Sequence, residues 1–393
     1  MITVEQAFEL VQNNIHPANK SENKPVIKSA GYVLFKDVYS PINMPPFRQS
    51  AMDGYALSLQ NDATNYNIID EVKAGDGHHP VLKAGEAVRI FTGSAVPNTA
   101  NTVIMQEKTN REGDVLILTS PAVENENIRP LGEQVQKDAL ALKKGTKLTP
   151  AAIGFLTTLG ISEVEVFSKP NIAIVTTGNE LIEAGQELTY GKIYESNSGM
   201  LLTALQSLGY DNVTIAKVKD DYASTMASLD KAISENDVVL ISGGISVGDY
   251  DFVGKALLEL GVNQIFYKVK QKPGKPLFFG KKEDKVIFAL PGNPASALSS
   301  FYVYVNYSLQ KLSGNTNFYL NRLSATLTSG YYKKGPRAQF LKASFDNGNV
   351  TILEGQSSAM LHTFAIANAS VYVPAEVNNL SEGDTVEVIL LPV

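Results

Sequence analysis

Between Lys169 and Ser313 short apolar runs alternate with helical patterns, and this alternation constrains the fold more than any other feature of the chain. Asn171–Val175 reads as a buried strand, Ser198–Leu208 as a helix and Thr214–Val218 as a second strand. Tyr222–Asn236 reads as a helix with Met226, Leu229 and Ile233 on one side, followed by a strand at Asp237–Ile241. A helix at Phe252–Leu260, strands at Ile265–Val269 and Lys285–Leu290, and a long helix at Pro294–Leu312 complete the series. Strands separated by helices imply βαβ crossovers and a largely parallel sheet. The stretch from Val286 to Gln310 carries no charge, but Pro291-Gly292-Asn293-Pro294 and several serines interrupt it. A strand, a turn and a packed helix fit it better than a membrane span, which needs about 20 apolar residues.

The flanking regions have a different texture. From Pro41 to Glu133, β-like runs (Ala87–Phe91, Thr102–Gln106, Val115–Leu118) are separated by Gly, Asn and Pro. In the tail, Phe340–Phe345 and Val350–Leu353 flank Asp346-Asn347-Gly348-Asn349, a hairpin signal. Val371–Val373 and Thr385–Leu391 add further strands, so the tail is expected to be a small all-β domain. Leu140–Leu159 has a helical pattern. At the start, Val4, Ala7, Phe8, Val11 and Ile15 share a helical face behind a Thr3–Gln6 capping box. With no basic start and with Glu5 and Glu9 in its pattern, this segment is not a signal peptide. The chain is therefore expected to be cytoplasmic. A net charge of −6 over 393 residues argues against a nucleic-acid partner, and no membrane partner is expected. With no cysteine, thiolate catalysis and zinc–thiolate sites are excluded.

In a parallel sheet, ligands bind beyond the carboxyl ends of the strands. Thr176-Thr177-Gly178-Asn179-Glu180 places hydroxyls, a glycine and a carboxylate there. Ser242, Gly243, Gly244, Ser246 and Gly248 belong to a flexible segment whose N–H groups can face an anion, with Asp249 and Asp251 following. Lys270 to Pro276 adds Lys272 and Lys275 on a proline-glycine turn, and Pro291, Gly292, Asn293 and Pro294 cap the long helix. Each piece alone reads as a turn with solvated charges. All four at the ends of one sheet suit a phosphorylated ligand and a divalent cation, with magnesium favoured because four scattered histidines form no cluster.

Two motifs mislead. Gly244 to Gly248 matches the G-x-S-x-G nucleophile elbow, but the histidine downstream of it, His362, lies in the β-rich tail. Gly185 to Lys192 resembles a phosphate-binding loop with a gap one residue too long and Ile193 in place of Ser or Thr.

Nine segments occur in one order: PPFRQSAMDGYAL, RIFTGSAVP, VIMQE, IRPLGE, TTGNEL, YESNS, SGGISVGDYDF, KQKPGKP and LPGNPAS. Together they resemble the molybdopterin molybdenumtransferase family, bacterial enzymes similar to the E domain of gephyrin. The resemblance implies an α/β-plus-β fold: an elongated multidomain chain with a central α/β domain like molybdopterin adenylyltransferase, a β-rich inserted domain and a C-terminal small β-barrel. Residues 1–20 with 169–316 would form the α/β domain, 21–40 with 135–168 a connecting domain, 41–134 the β-rich domain and 317–393 the tail. It implies a homodimer with a shared site, adenylylated molybdopterin and molybdate as substrates, magnesium, and release of AMP with molybdenum cofactor. Molybdopterin adenylyltransferase and molybdoenzyme apoproteins are the partners it implies.

Carried over by motif, Asp53 and Thr92 would face the nucleotide–pterin site from the partner subunit. Glu180, Asp220 or Asp221, and Asp251 would handle cation or phosphate, with Asp249 as a further carboxylate. Lys272 and Lys275 would bind molybdate or phosphate, and Pro291 and Pro294 would shape the adjoining loop. Arg337 stands where the family has a functional arginine, and Ser357 would line the cleft. Gln134 departs from the pattern at a usually acidic position, and Arg48-Gln49 stand before the SAMDGYA segment where the family often has Asn-type residues. Three other readings stay in view: a pterin-nucleotide adenylyltransferase, a non-catalytic pterin-binding scaffold, and a paralogue that takes tungsten.

Overall fold

The computed structural model describes residues 1–60, 62–219, 221–245 and 252–392. The chain folds as two compact units, one of residues 1–22, 31–33 and 167–393 and one of residues 23–30 and 34–166.

The first unit is built on a six-stranded sheet. Its strands are β1 (Ile172–Thr177), β2 (Val213–Val218), β3 (Val238–Ser242), β4 (Asn263–Tyr267), β5 (Phe278–Lys282) and β6 (Lys285–Leu290). They lie in the order β2-β1-β3-β6-β5-β4. The apolar runs of β1, β3 and β6 have no polar face because both faces are covered. Ile172, Ile174, Val238, Leu240, Val286 and Phe288 pack into one core with α1 (Val4–Asn14) and α2 (Asn197–Ser207). Their neighbours Ala173, Val175, Val239, Ile241, Ile287 and Ala289 pack into a second core with α3 (Tyr222–Glu235) and α4 (Phe252–Glu259). Alternate residues of each strand thus serve opposite cores.

The sheet is largely parallel, as expected, but two of its five pairings, at one edge, are antiparallel. Strands β1, β2, β3 and β6 are parallel, but β5 runs antiparallel to β6 and β4 antiparallel to β5. Strand β5, absent from the sequence reading, forms a hairpin with β6 around Glu283, whose φ is +54°. Its apolar run follows Pro276 directly and contains Gly280, so it has little strand signature of its own. Strand β4 ends two residues before the expected Val269 because Lys268, at φ +69°, turns the chain, and Val269 then bridges to Ile2. The long helix is present but not uniform: α5 (Pro294–Ser300) passes through a π-helical turn at Phe301–Val305 into an α-helical end at Asn306–Leu312. Thr3 and Gln6 form the expected capping box on α1.

The tail closes into a barrel. Strands β7 (Arg322–Leu327), β8 (Ala338–Asp346), β9 (Asn349–Ile352), β10 (Ala369–Val373) and β11 (Thr385–Leu390) follow one another in the ring β8-β9-β7-β11-β10, and β10 pairs back onto β8. Asn347 and Gly348 both have positive φ, as the tight Asn-Gly hairpin requires.

The second unit carries another six-stranded sheet, in the order Thr102–Met105, Gly54–Leu57, Glu86–Ile90, Asn65–Val72, Val115–Leu118, Thr109–Glu112. The helix expected over Leu140–Leu159 is only Pro150–Thr158. Leu140–Leu142 instead pairs with Val38–Tyr39, and Gly145 at φ +83° ends any helical continuity. Thr149 then caps the shorter helix, with Pro150 in its first turn. Among the described residues no helix is long and apolar enough to cross a membrane.

Candidate active site

Three of the four loops chosen from the sequence emerge side by side, because β1, β3 and β6 are parallel neighbours. They are Thr176 to Glu180 after β1, Ser242 to Ile245 after β3, and Pro291 to Pro294 after β6. With the lysine turn Lys272 to Pro276 they line a cleft of about 880 Å³. Close packing forces glycine at the second of these loops. A Cβ on Gly243, at φ +96°, would sit 2.5 Å from the Thr177 carbonyl oxygen. On Gly244 it would sit 2.7 Å from Val253 and 2.8 Å from Thr177 Oγ1. Bare backbone at this turn is therefore a steric requirement as well as a conformational one.

The lysine turn belongs to the barrel side of the cleft. Gln271–Lys272 pairs in parallel with the start of β8, and Arg337, just before β8, donates from Nη1 to the Gln271 carbonyl at 3.1 Å. Buried Gln271 shapes the turn from within: its Nε2 donates to the Gly274 carbonyl at 3.1 Å, and its Oε1 accepts from Tyr304 at 2.6 Å. Burial drives the Tyr304 phenol well above its ordinary pKa, so it stays protonated and can donate this bond. Ser357 and Ser358 complete the wall, with Ser358 Oγ accepting from Asn293 Nδ2 at 3.0 Å. The result is a wall of Lys272, Lys275, Arg337 and serine hydroxyls.

Glu180 also lines the cleft, and its carboxylate makes no hydrogen bond or ion pair among the described residues. Asn197, within the YESNS segment, ties two loops together. Its Nδ2 donates to Ser242 Oγ and to the Gly292 carbonyl, both at 2.8 Å. Its Oδ1 and the Oγ1 atoms of Thr176 and Thr177 are buried without a hydrogen-bond partner among the described residues. Glu195 braces the same helix start by accepting from the Ser198 N–H at 2.9 Å and from the Ser198 hydroxyl. An asparagine at a helix start signals a cap first, so nothing local in the sequence marked its bridging role.

The remaining expected residues are distributed otherwise. Asp221 does not line this cleft; it is the N-cap of α3, accepting from Ser224 N at 2.8 Å. That backbone donor, more than any other contact, holds its carboxyl below the usual range. Asp53 and Thr92 belong to the second unit. There the Thr92 N–H and hydroxyl donate to Asp53 Oδ1 at 2.7 and 2.8 Å. These bonds and the nearby Arg89 charge lower the Asp53 pKa. Asp220, Ser246, Gly248, Asp249 and Asp251 lie outside the described residues. Among the described residues no group of three carboxylates or histidines is arranged to hold a metal. The two misleading motifs acquire no support. His362 is exposed at the start of a short helical turn whose Thr363 and Phe364 are buried, and the loop from Gly185 to Lys192 joins two short parallel strands, Leu181–Ile182 and Ile193–Tyr194, with no helix directly after it.

Three family models match the chain in succession. The MoeA N-terminal region (domain I and II) covers residues 2–160, a probable molybdopterin binding domain covers 173–311, and the MoeA C-terminal region (domain IV) covers 324–391. A molybdopterin molybdenumtransferase of Haemophilus influenzae is 33% identical over 398 residues, spanning 99% of this chain and 98% of its own. One from Staphylococcus aureus is 30% identical over 388 residues, spanning 95% and 93%. The chain belongs to the molybdopterin molybdenumtransferase family. A solved molybdopterin biosynthesis moeA protein from Pyrococcus horikoshii OT3 shares its fold over 100% of both chains, with 30% identity and a TM-score of 0.87.

The family's molybdopterin-binding segment coincides with the sheet that bears the three carboxyl-end loops, and its C-terminal segment with the barrel. Relative to the family pattern, Gln134 is exposed and engages through its backbone, donating to the Met44 carbonyl at 2.8 Å.

Proposed function

We propose that the protein inserts molybdenum from molybdate into adenylylated molybdopterin, releasing AMP and forming molybdenum cofactor. The carrying observation is the wall of Lys272, Lys275, Arg337 and two serine hydroxyls facing a glycine turn across one cleft. Cations and hydroxyl donors suit a tetrahedral oxyanion such as molybdate. The tight Ser242-Gly243-Gly244 backbone suits the phosphoanhydride of the adenylylated substrate. The substrate brings its own thiolates, so a chain without cysteine serves.

Magnesium fits the donor set as a dissociable partner. Glu180 offers a free carboxylate, and magnesium usually keeps several waters while binding one or two carboxylates and substrate phosphates. Asp251, Asp249 and Asp220 are the other carboxylates assigned to it by resemblance. When bound, the ion would neutralise charge that develops on the phosphoanhydride oxygens. The lysines and the glycine turn would orient the linkage, while Asp53 and Thr92 would act on the nucleotide–pterin portion from a second copy of the chain in a homodimer. Cytoplasmic residence, and handover involving molybdopterin adenylyltransferase and molybdoenzyme apoproteins, belong to the same proposal. Neither a non-catalytic scaffold nor a tungsten enzyme is favoured: relatives carry the molybdenumtransferase name, and a scaffold has no need for three cations converging on a cleft.

The test is AMP release from adenylylated molybdopterin by purified protein, with molybdate and magnesium each present or omitted. Release that needs both, with active cofactor as the second product, is the expected result. Tight substrate binding without AMP release would overturn the assignment.

A further inference from the structure

We infer that Lys342 is a positioning residue for the oxyanion side of the cleft, its buried ammonium holding in place the loop that presents Ser357 and Ser358. This rests on the proposed function only in taking that wall as the molybdate subsite. Lys342 lies within β8 and is 4% exposed. Its neighbours Leu341 and Ala343 belong to the barrel core. Its Nζ donates to the carbonyl oxygens of Gly355 at 2.7 Å, Met360 at 2.9 Å and Ser357 at 3.3 Å. An ammonium has three N–H donors, and here the three meet carbonyls spaced along one loop.

A second anchor works beside it. Lys342 N donates to Gln356 Oε1 at 3.0 Å, and Gln356 Nε2 returns bonds to the carbonyls of Lys342 at 2.8 Å and Leu353 at 2.7 Å. Thr363 Oγ1 bonds the Glu354 and Gly355 carbonyls at 3.3 and 3.1 Å. Gly355 has φ +78°, and a Cβ there would lie 2.7 Å from Thr363 Oγ1. The loop is thus tied at several points on the barrel side. On the cleft side Ser358 is held by Asn293.

Burying a cation with no carboxylate opposite it is costly, and among the described residues none pairs with Lys342. An apolar residue would fill a barrel position at less cost, whereas the ammonium can gather three carbonyls. Removing it takes a donor from each of those carbonyls, leaving Thr363 on Gly355 and the Met360 N–H on Ser357, and the loop must relax to recover the lost bonds elsewhere. That moves the serine hydroxyls away from the lysines and arginine that share the oxyanion. The Ser242-Gly243-Gly244 turn and Glu180, on other elements, stay in place.

The experiment is the molybdate dependence of AMP release by wild type, Lys342→Met and Lys342→Arg, with calorimetric titration of each protein with molybdate alone. Lys342→Met is expected to raise KM for molybdate about 10-fold, with kcat at saturating molybdate and affinity for adenylylated molybdopterin within about twofold of wild type. Lys342→Arg, which keeps a cation with several donors, is expected to recover most of the loss. An unchanged molybdate KM, or an equal loss of pterin-nucleotide binding, overturns the inference. If Lys342→Met does not fold, Gln356→Ala removes the second anchor and must shift molybdate KM in the same direction; no shift overturns the inference. Wild type that binds molybdate without releasing AMP refutes the proposed function instead, and the variants' molybdate affinities then decide the role of Lys342.

Discussion

Glu180 and Asp221 show how two carboxylates that look alike in sequence diverge. Both precede or follow strands of the same sheet, and both were read as cation or phosphate ligands. Glu180 lines the cleft with its carboxylate unengaged, while Asp221 is committed to the first turn of α3. Glu180→Gln is therefore expected to lower magnesium-dependent AMP release by about 10²-fold while leaving substrate affinity nearly unchanged. Asp221→Ala is expected to lower the melting temperature by about 2 °C and leave turnover intact. Parallel assays of the two variants check both roles; equal activity losses would sink the distinction. Asn197 teaches the converse lesson. Its amide orientation is set by the Gly292 carbonyl, which can only accept, so the NH2 group must face it. That contact joins residues 95 positions apart, and no local pattern announces it.

At the scale of elements, strong periodicity was legible and weak periodicity was not. Strands β1, β3 and β6 are continuous apolar runs bounded by polar loops, and the structure has them within a residue or two of the expected limits. Strand β5 was invisible because proline and glycine break up its run, and pairing with β6 outweighs that weak local preference. The apolar pattern of Leu140–Leu159 misled for a related reason. Its first three residues gain a strand partner, and the Lys143-Lys144-Gly145 turn isolates them from the helix. In the second unit Gly54 is an element-scale constraint. It pairs with Ile90 on one side and Met105 on the other, and a Cβ would stand 1.8 Å from the Ile104 carbonyl oxygen. Gly54→Ala is expected to destabilise this sheet by roughly 3 kcal/mol or more. Denaturant unfolding measures this, and a loss under about 1 kcal/mol would contradict the steric account.

For the whole molecule, the sharpest prediction concerns the proposed sharing of the site between subunits. Asp53→Ala and Lys275→Ala, each inactive alone, are expected to complement when mixed and allowed to exchange subunits. A mixed homodimer would then hold one intact site and one doubly altered site. Full exchange at equal amounts should restore about a quarter of wild-type AMP release, since half the dimers are mixed. No recovery would confine the site to one chain. Several properties were determined by the sequence alone: the strand–helix alternation, the Asn-Gly hairpin, the capping box of α1, the absence of a cysteine nucleophile and the family. Each is a matter of composition or of contacts within a few residues. Only the tertiary structure decided which carboxylate faces the cleft, that one strand of the central sheet runs antiparallel to its neighbours, and that a buried lysine in a barrel strand organises a loop lining the cleft. Those outcomes depend on pairings between segments distant in the chain, whose energies come from packing and shared hydrogen bonds rather than from local preference.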